Sequence, residues 1–319
     1  WLKKFLPSLV NYSKDGQVFI ADNASTDNSV LFVKENFPSV KIIINESNDG
    51  YAKGYNNALK NISAEYFVLI NSDIEVTQNW LSPIISLMDH NTDIAACQPK
   101  LLDYNNQNYF EYAGASGGFI DILGYPFCRG RLFEDIEEDK GQYDDAIEVF
   151  WATGACLFLR SSYFWEVGGF DDDFFAHQEE IDLCWRFKNV GYKVMVEPAS
   201  LVYHVGGATL NSGSPFKTYL NFRNNLYMLF KNLPTFSLTF LIFIRLILDG
   251  LAAFTFLTRS KGIQHFLAVF RAHFSFYFNL PRLIAKRQNI QSKNTLLGVK
   301  KYSILFKNKI ANIKKFSDL

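Results

Sequence analysis

The sequence predicts an α/β fold, a mostly parallel sheet flanked by helices, and three observations carry that expectation. In the first half, apolar runs of strand length alternate with stretches of helical periodicity, the pattern of a parallel sheet covered by helices. Polar clusters that bear carboxylates follow those runs directly, at the strand ends where open α/β sheets bind ligands. At 319 residues, 48% of them hydrophobic, the chain can bury a large core and still carry an appendage.

The opening Trp1-Leu2-Lys3-Lys4-Phe5-Leu6-Pro7-Ser8-Leu9 has helical spacing, with no strand before it. A doubly wound domain usually opens on a strand, so a short upstream segment is expected to be missing. Strands are expected at 17–21, 41–45, 66–71 and 94–98, and helices at 29–36, 51–61 and 78–89. From 101 to 149 the pattern breaks into aromatic, glycine and acidic clusters, which reads as a long functional loop. A strand follows at 150–160, and then a helix over 178–189 that Gly191 ends. Two short strands, 194–197 and 201–204, flank Pro198. The composition shifts near 212–216, giving an α/β domain over 1–215 and a helical, amphipathic, basic region over 216–319.

The formal net charge is zero, yet 13 of the 32 basic residues and only 1 of the 32 acidic ones lie in 258–319. The stretch 236–257 is strongly apolar but holds Arg245 and Asp249 at i, i+4 spacing, which disfavours a simple membrane span. Beyond it Phe266, Phe270, Phe274 and Phe278 alternate with Arg271, Arg282, Lys286 and Arg287. Apolar faces beside basic ones suit a helix lying on anionic lipid, so peripheral attachment to the inner face of a membrane is expected. A helical appendage packed on the main domain is the alternative. No nucleic-acid-binding motif accompanies the basic end. Cys97, Cys128, Cys156 and Cys184 form no CxxC pair and read as reduced thiols of a cytosolic protein.

Several constellations could carry chemistry. Asp73 closes Asn71-Ser72-Asp73 after the run 66–70, where a hard anion suits a divalent cation bridging phosphate oxygens; it equally serves to close a turn. Asp22-Asn23 follows the first visible strand and suits a base or ribose, or an ordinary Asx turn. Gly50-Tyr51-Ala52-Lys53-Gly54-Tyr55-Asn56 opens a helix with a lysine available to a phosphate, or is a plain surface helix. Glu179, Glu180 and Asp182 crowd a helix start, where the helix dipole favours acids and where like charges raise a carboxylate's pKa toward the range of a general base. His204 ends a strand beside Gly206-Gly207 and suits a metal or a diphosphate.

In register, the blocks ADNASTDNS, NDGYAKGYNNAL, LINSDIEV, ATGACLFLR, VGGFDDDFFAHQEEIDLCWR and PASLVYHVGG resemble glycosyltransferase family 2, the inverting transferases of GT-A fold, and within it the bacterial rhamnosyltransferase-like branch of surface polysaccharide synthesis. The resemblance implies that Asp22 contacts the nucleobase or ribose, that Asn23, Lys53, Asn56 and Ser72 lie near the nucleotide, and that Asp73 is the DxD-type metal ligand. It puts the catalytic base at Glu180, with Asp182 and Glu179 as alternatives, and matches His204 to the histidine that helps hold Mg²⁺ or Mn²⁺ and the diphosphate. It also implies a sugar moving from a nucleoside diphosphate, UDP- or dTDP-linked by preference, to a growing, lipid-linked cell-surface glycan, with inversion of configuration. Homo-oligomerisation is left open. The competing readings are a noncatalytic sugar-nucleotide-binding or assembly subunit and a nucleotidyltransferase that makes activated sugars.

Overall fold

The computed structural model describes residues 1–206, 213–258, 260–290 and 296–319. Gly207 beside His204, and Ser212 at the expected boundary, lie outside the described residues. In chain order the elements are α1 (Leu2–Tyr12), β1 (Phe19–Asp22), α2 (Ser29–Asn36), β2 (Lys41–Ile44), α3 (Gly50–Leu59), β3 (Tyr66–Ile70), β4 (Ile74–Val76), α4 (Ser82–His90) and β5 (Ile94–Asp103). Then come β6 (Gly118–Ile120), β7 (Pro126–Cys128), β8 (Arg131–Leu132), β9 (Asp135–Ile136), β10 (Ile147–Glu148), β11 (Cys156–Arg160), α5 (Ser161–Glu166), α6 (Glu179–Val190) and β12 (Lys193–His204). The last third is helical: α7 (Pro215–Asn232), α8 (Thr235–Phe256), α9 (Gly262–Phe278), α10 (Leu280–Asn289) and α11 (Ile304–Lys309).

The main sheet is mixed. Its order is β10-β12-β5-β11-β3, with β4 also on β12; β5 and β12 run parallel, whereas β11 is antiparallel to both β3 and β5. The two strands expected around Pro198 are one strand, β12, whose register against β5 shifts between Glu197 and Leu201. Proline donates no ladder bond, so the strand bulges around it and continues. The expected helix at 78–89 starts later, at Ser82, and 74–76 pairs with β12 as β4. The expected strand over 150–160 is confined to β11.

The segment 101–149 is more ordered than a loop. It holds a four-stranded sheet, β6-β7-β8-β9, whose strands of two or three residues are too short to show a period in sequence. Gly118 allows β6 to pass Trp151, since a Cβ there would lie 2.1 Å from the indole.

β1 and β2 pair in parallel as a separate two-stranded sheet. Between β1 and β3 lies a cavity of about 2130 Å³, lined by Val18, Ile20, Leu69 and Ile70 among others and walled by α1, α3 and α4. Among the described residues, the edges of β1 and β3 away from β2 and β11 have no ladder partner.

One core runs through both parts of the chain, joining Ala96, Leu157 and Phe187 to Leu226, Met228, Phe276, Leu283 and Ile304. The C-terminal tail returns to the small sheet: the Ile304 N–H donates to Asp121 Oδ2 at 2.8 Å, and the Phe316 ring lies 5.0 Å from that of Phe119. Part of the C-terminal basic charge is used internally. Lys286 pairs with Asp171 and Asp173, Arg282 with Asp173, and Lys314 with Asp135. Arg287 donates to the Phe230 and Lys231 carbonyls. All four cysteines are buried free thiols.

α8 is long and apolar enough to cross a membrane by length and composition. Its Arg245, however, faces the protein, donating to Leu123 O at 2.7 Å and pairing with buried Asp249 at 3.1 Å. Arg245→Ala leaves Asp249 buried without that partner and is expected to cost about 3–5 kcal/mol, measured by urea denaturation.

Candidate active site

The site is built where strands end. After β3 the chain turns tightly at Asn71, whose N–H donates to Ala155 O at 2.9 Å, and β4 begins at once. Because Ile74 pairs with His204 in the β4–β12 ladder, Asp73 is brought against the imidazole: Asp73 Oδ1 is 3.3 Å from His204 Nε2. On its other side His204 Nδ1 lies 3.1 Å from Glu111 Oε1. Asp73, His204 and Glu111 are all buried. Burial alone pulls the imidazole down, but the two carboxylates together more than offset it and push it up to about 10.

Glu111 has no counterpart among the sequence candidates. Its Oε2 accepts from the Ala113 N–H at 2.6 Å, which fixes the carboxylate that faces Nδ1. The imidazole thus lies between two carboxylates, Glu111 on the Nδ1 side and Asp73 on the Nε2 side. The available signal was one acid inside Tyr109-Phe110-Glu111-Tyr112, in a stretch read as loop.

A carboxylate oxygen with an imidazole nitrogen suits Mg²⁺ or, better, Mn²⁺. Among the described residues, no group of three or more His, Cys, Asp or Glu is arranged for an ion. A cation held by Asp73 and His204 would need the imidazole neutral and its other ligands from phosphate oxygens and water.

The nucleotide candidates divide. Asp22, Asn23 and Ser72 line the large cavity. Asp22 is buried and accepts from the Ser25 N–H at 3.1 Å, the Asx-turn arrangement. The Asn23 amide is built into the framework, donating to Gly50 O at 3.0 Å and accepting from Asn45 at 2.6 Å. It fits only because Gly54 has no Cβ, which would lie 2.4 Å from Asn23 Oδ1. Ser72 is exposed, and Lys53 pairs at the surface with Asp49 at 2.9 Å. Asn56 is occupied elsewhere: it donates to Phe170 O at 2.8 Å and Asp172 Oδ1 at 2.7 Å, and accepts from the Phe170 N–H at 3.0 Å. These bonds pin the loop before α6 and leave the amide little capacity for a nucleotide.

The three acids of α6 separate by surroundings. Asp182 is fully buried and receives Arg186 Nε at 2.9 Å, Lys231 Nζ at 2.9 Å and Asn232 Nδ2 at 2.8 Å. An anion so saturated is a structural hub, not a free base. Glu179 is buried, and burial together with the neighbouring Glu180 raises its pKa well above the carboxylate range. Glu180 is half-buried, and desolvation pushes it up to about 7. Each of the two glutamates has a buried Oε2 with no hydrogen-bond partner. Tyr51 connects the two groups of residues: it lines the cavity, donates to Gly154 O at 2.7 Å, and has its pKa raised by burial and by Tyr55, Glu179 and Glu180.

The profile of Glycosyl transferase family 2 matches residues 1–168. The chain belongs to that family. This glycosyltransferase is 24% identical over 219 residues to the N-acetylglucosaminyl-diphospho-decaprenol L-rhamnosyltransferase of Mycobacterium tuberculosis, covering 64% of this chain and 71% of the relative. It is 21% identical over 216 residues to a low-salt glycan biosynthesis hexosyltransferase of Haloferax volcanii, 64% of each chain. The crystal structure of GalNAc-T7 with UDP, GalNAc and Mn²⁺ superposes with a TM-score of 0.55 at 16% identity, over 72% of this chain and 44% of that one. The fold is GT-A.

Asp182→Ala strands Lys231 and Arg186 beside an empty site and is expected to cost about 3–5 kcal/mol. A drop of that size in unfolding free energy, measured by urea denaturation, checks the structural assignment; an unchanged midpoint contradicts it.

Proposed function

We propose that this family 2 enzyme transfers a sugar from a UDP- or dTDP-linked donor to a lipid-linked bacterial surface glycan, with inversion at the anomeric carbon. The observation that carries the reading is the pairing of two unlike acid sites, Asp73 beside His204 and the half-buried Glu180 with an unpartnered oxygen. Asp73 and His204 would hold Mg²⁺ or Mn²⁺, which supplies positive charge at the departing diphosphate. Asp22 and Ser72, lining the cavity, suit the base and ribose.

Glu180 takes the proton of the acceptor hydroxyl. The acceptor oxygen then bonds to the anomeric carbon on the face opposite the leaving group, and the bond to the diphosphate breaks, so one displacement inverts the centre. A pKa near the operating pH suits a general base; Asp182 is spent on cations, and Glu179 is the more deeply buried of the pair. The rhamnosyltransferase relative, named for a diphospho-decaprenol substrate, supports a lipid-linked acceptor.

A membrane location has its own support. On α8, Phe236, Phe240, Phe243, Ile247, Leu251 and Phe254 are exposed, at helical spacing along one face. Ile263, Leu267, Phe270, Phe274 and Phe278 continue the pattern on α9, Phe236 and Phe278 being 80% and 85% exposed. Lys261 and Arg271 lie exposed beside this ridge, each worth about 1 kcal/mol near anionic lipid. The ridge would place the enzyme on the cytoplasmic face of the inner membrane.

Glu180→Gln is expected to retain Mn²⁺-dependent binding of the donor, seen as a thermal shift against UDP-, dTDP- and GDP-sugars, and to lose transfer about 100-fold or more. The wild-type rate should fall about tenfold per pH unit below about 7, because protonated Glu180 accepts no proton. Near-normal transfer by this variant would remove Glu180 as the base. Double substitution Phe240→Asp with Phe274→Asp should abolish flotation with phosphatidylglycerol vesicles while leaving donor binding intact; undiminished flotation would refute the ridge as the contact.

A further inference from the structure

The segment leading into the Glu179-Glu180 pair is held in a conformation it would not choose. Phe175, His177 and Gln178 have φ of 61°, 71° and 72°, three non-glycine residues in left-handed backbone within four positions, a region disfavoured for side chains with a Cβ. Such a run persists only when its surroundings over-determine it. Gln178 is the residue from which α6 starts, so its backbone sets the direction in which the first turn presents Glu179 and Glu180.

What holds this run comes from α7. The fully buried Asn224 aims Nδ2 at three carbonyl oxygens, those of Phe174 at 2.8 Å, Ala176 at 2.9 Å and His177 at 2.7 Å. Two N–H bonds shared over three convergent acceptors need a neutral amide donor; a carboxylate of the same shape supplies none. Arg223 orients that amide by donating Nε to Asn224 Oδ1 at 2.8 Å, and its Nη2 reaches Asp173 O at 2.8 Å and Phe174 O at 3.2 Å. From the opposite side the Tyr51 N–H, at the start of α3, donates to Phe175 O at 2.6 Å. Gly50 makes that approach feasible, since a Cβ there would lie 2.3 Å from the same oxygen.

We propose that Arg223 and Asn224 are positioning residues of the transfer reaction, a polar clamp on α7 that holds the turn 174–178, with its three left-handed residues, and thereby aims the base of α6. The inference rests on the reading of Glu180 as that base. The clamp acts locally. One turn further along α6, Asp182 is held independently by Lys231, Arg186 and Asn232, so loss of the Asn224 amide frees the loop and the first turn while the helix stays docked.

The test uses the full chain, with Asn224→Asp, which keeps the shape and removes the donor, and Arg223→Gln, a milder change at a half-buried position that serves if Asn224→Asp does not fold. Hydrogen exchange of peptides spanning 172–180 and of the Tyr51 amide should accelerate about tenfold or more in Asn224→Asp, with the body of α6 unchanged. With whichever UDP-, dTDP- or GDP-sugar the wild type turns over, kcat should fall about 100-fold for Asn224→Asp and about 10-fold for Arg223→Gln, with the donor KM within about threefold, because misaligned groups lose rate before affinity. Unchanged exchange, unchanged kcat, or a parallel loss of kcat, donor affinity and global protection would overturn the proposal. If the wild type turns over no donor, the transferase reading and the base role fail together, and the exchange experiment still decides whether the clamp exists.

Discussion

The buried carboxylate of Asp182 is the constraint on which the catalytic half and the C-terminal third both depend. Three cationic or amide donors converge on it from α6 and α7, and Lys231 passes the connection on to Asp171, which also takes Lys286 from α10. Lys231 and Lys286 together hold the Asp171 carboxyl well below its usual range, against a burial that would raise it. Buried ions are costly unless satisfied, and here each finds an opposite charge, so the network binds four segments whose mutual arrangement apolar packing alone would leave less defined.

This network explains why acids of one chemical type, within four residues, have different capacities. Asp182 is saturated with cations and is kept for structure. Glu179 is buried, and desolvation with the neighbouring Glu180 raises it well above the carboxylate range, while Glu180 is half-buried and is pushed up to about 7; each keeps an unpartnered oxygen. Environment, not identity, separates the roles. Glu111, from a segment with almost no periodicity, faces His204 on the side opposite Asp73.

The charge asymmetry of the chain has a corresponding explanation. The acidic loop 171–173 and the small sheet at Asp135 are met by Lys286, Arg282 and Lys314, so three of the tail's cations are paired within its own chain. The exposed phenylalanines of α8 and α9 remain after this pairing, and the proposal of a membrane-facing surface rests on them more than on the lysines.

Much was legible in sequence because it is local. The alternation of apolar runs and helical periods located β1, β2, β3, α2 and α6 within a residue or two, and strand-end polarity brought Asp22, Asp73 and His204 forward, since open α/β sheets bind ligands at the carboxyl ends of their strands. What the sequence could not express was pairing at a distance. That β4 exists depends on β12 lying beside it; that β12 survives Pro198 depends on β5; and Asn56, which resembles a nucleotide ligand by position, is spent on Phe170 and Asp172, 114 and 116 residues away. The sequence by itself determined the class of fold and the chemical type of the site residues, because periodicity and strand ends are written in neighbouring residues. Only the tertiary structure decided which carboxylates keep an unpartnered oxygen, which is buried among cations and which faces the histidine, because desolvation and opposite charge act through space.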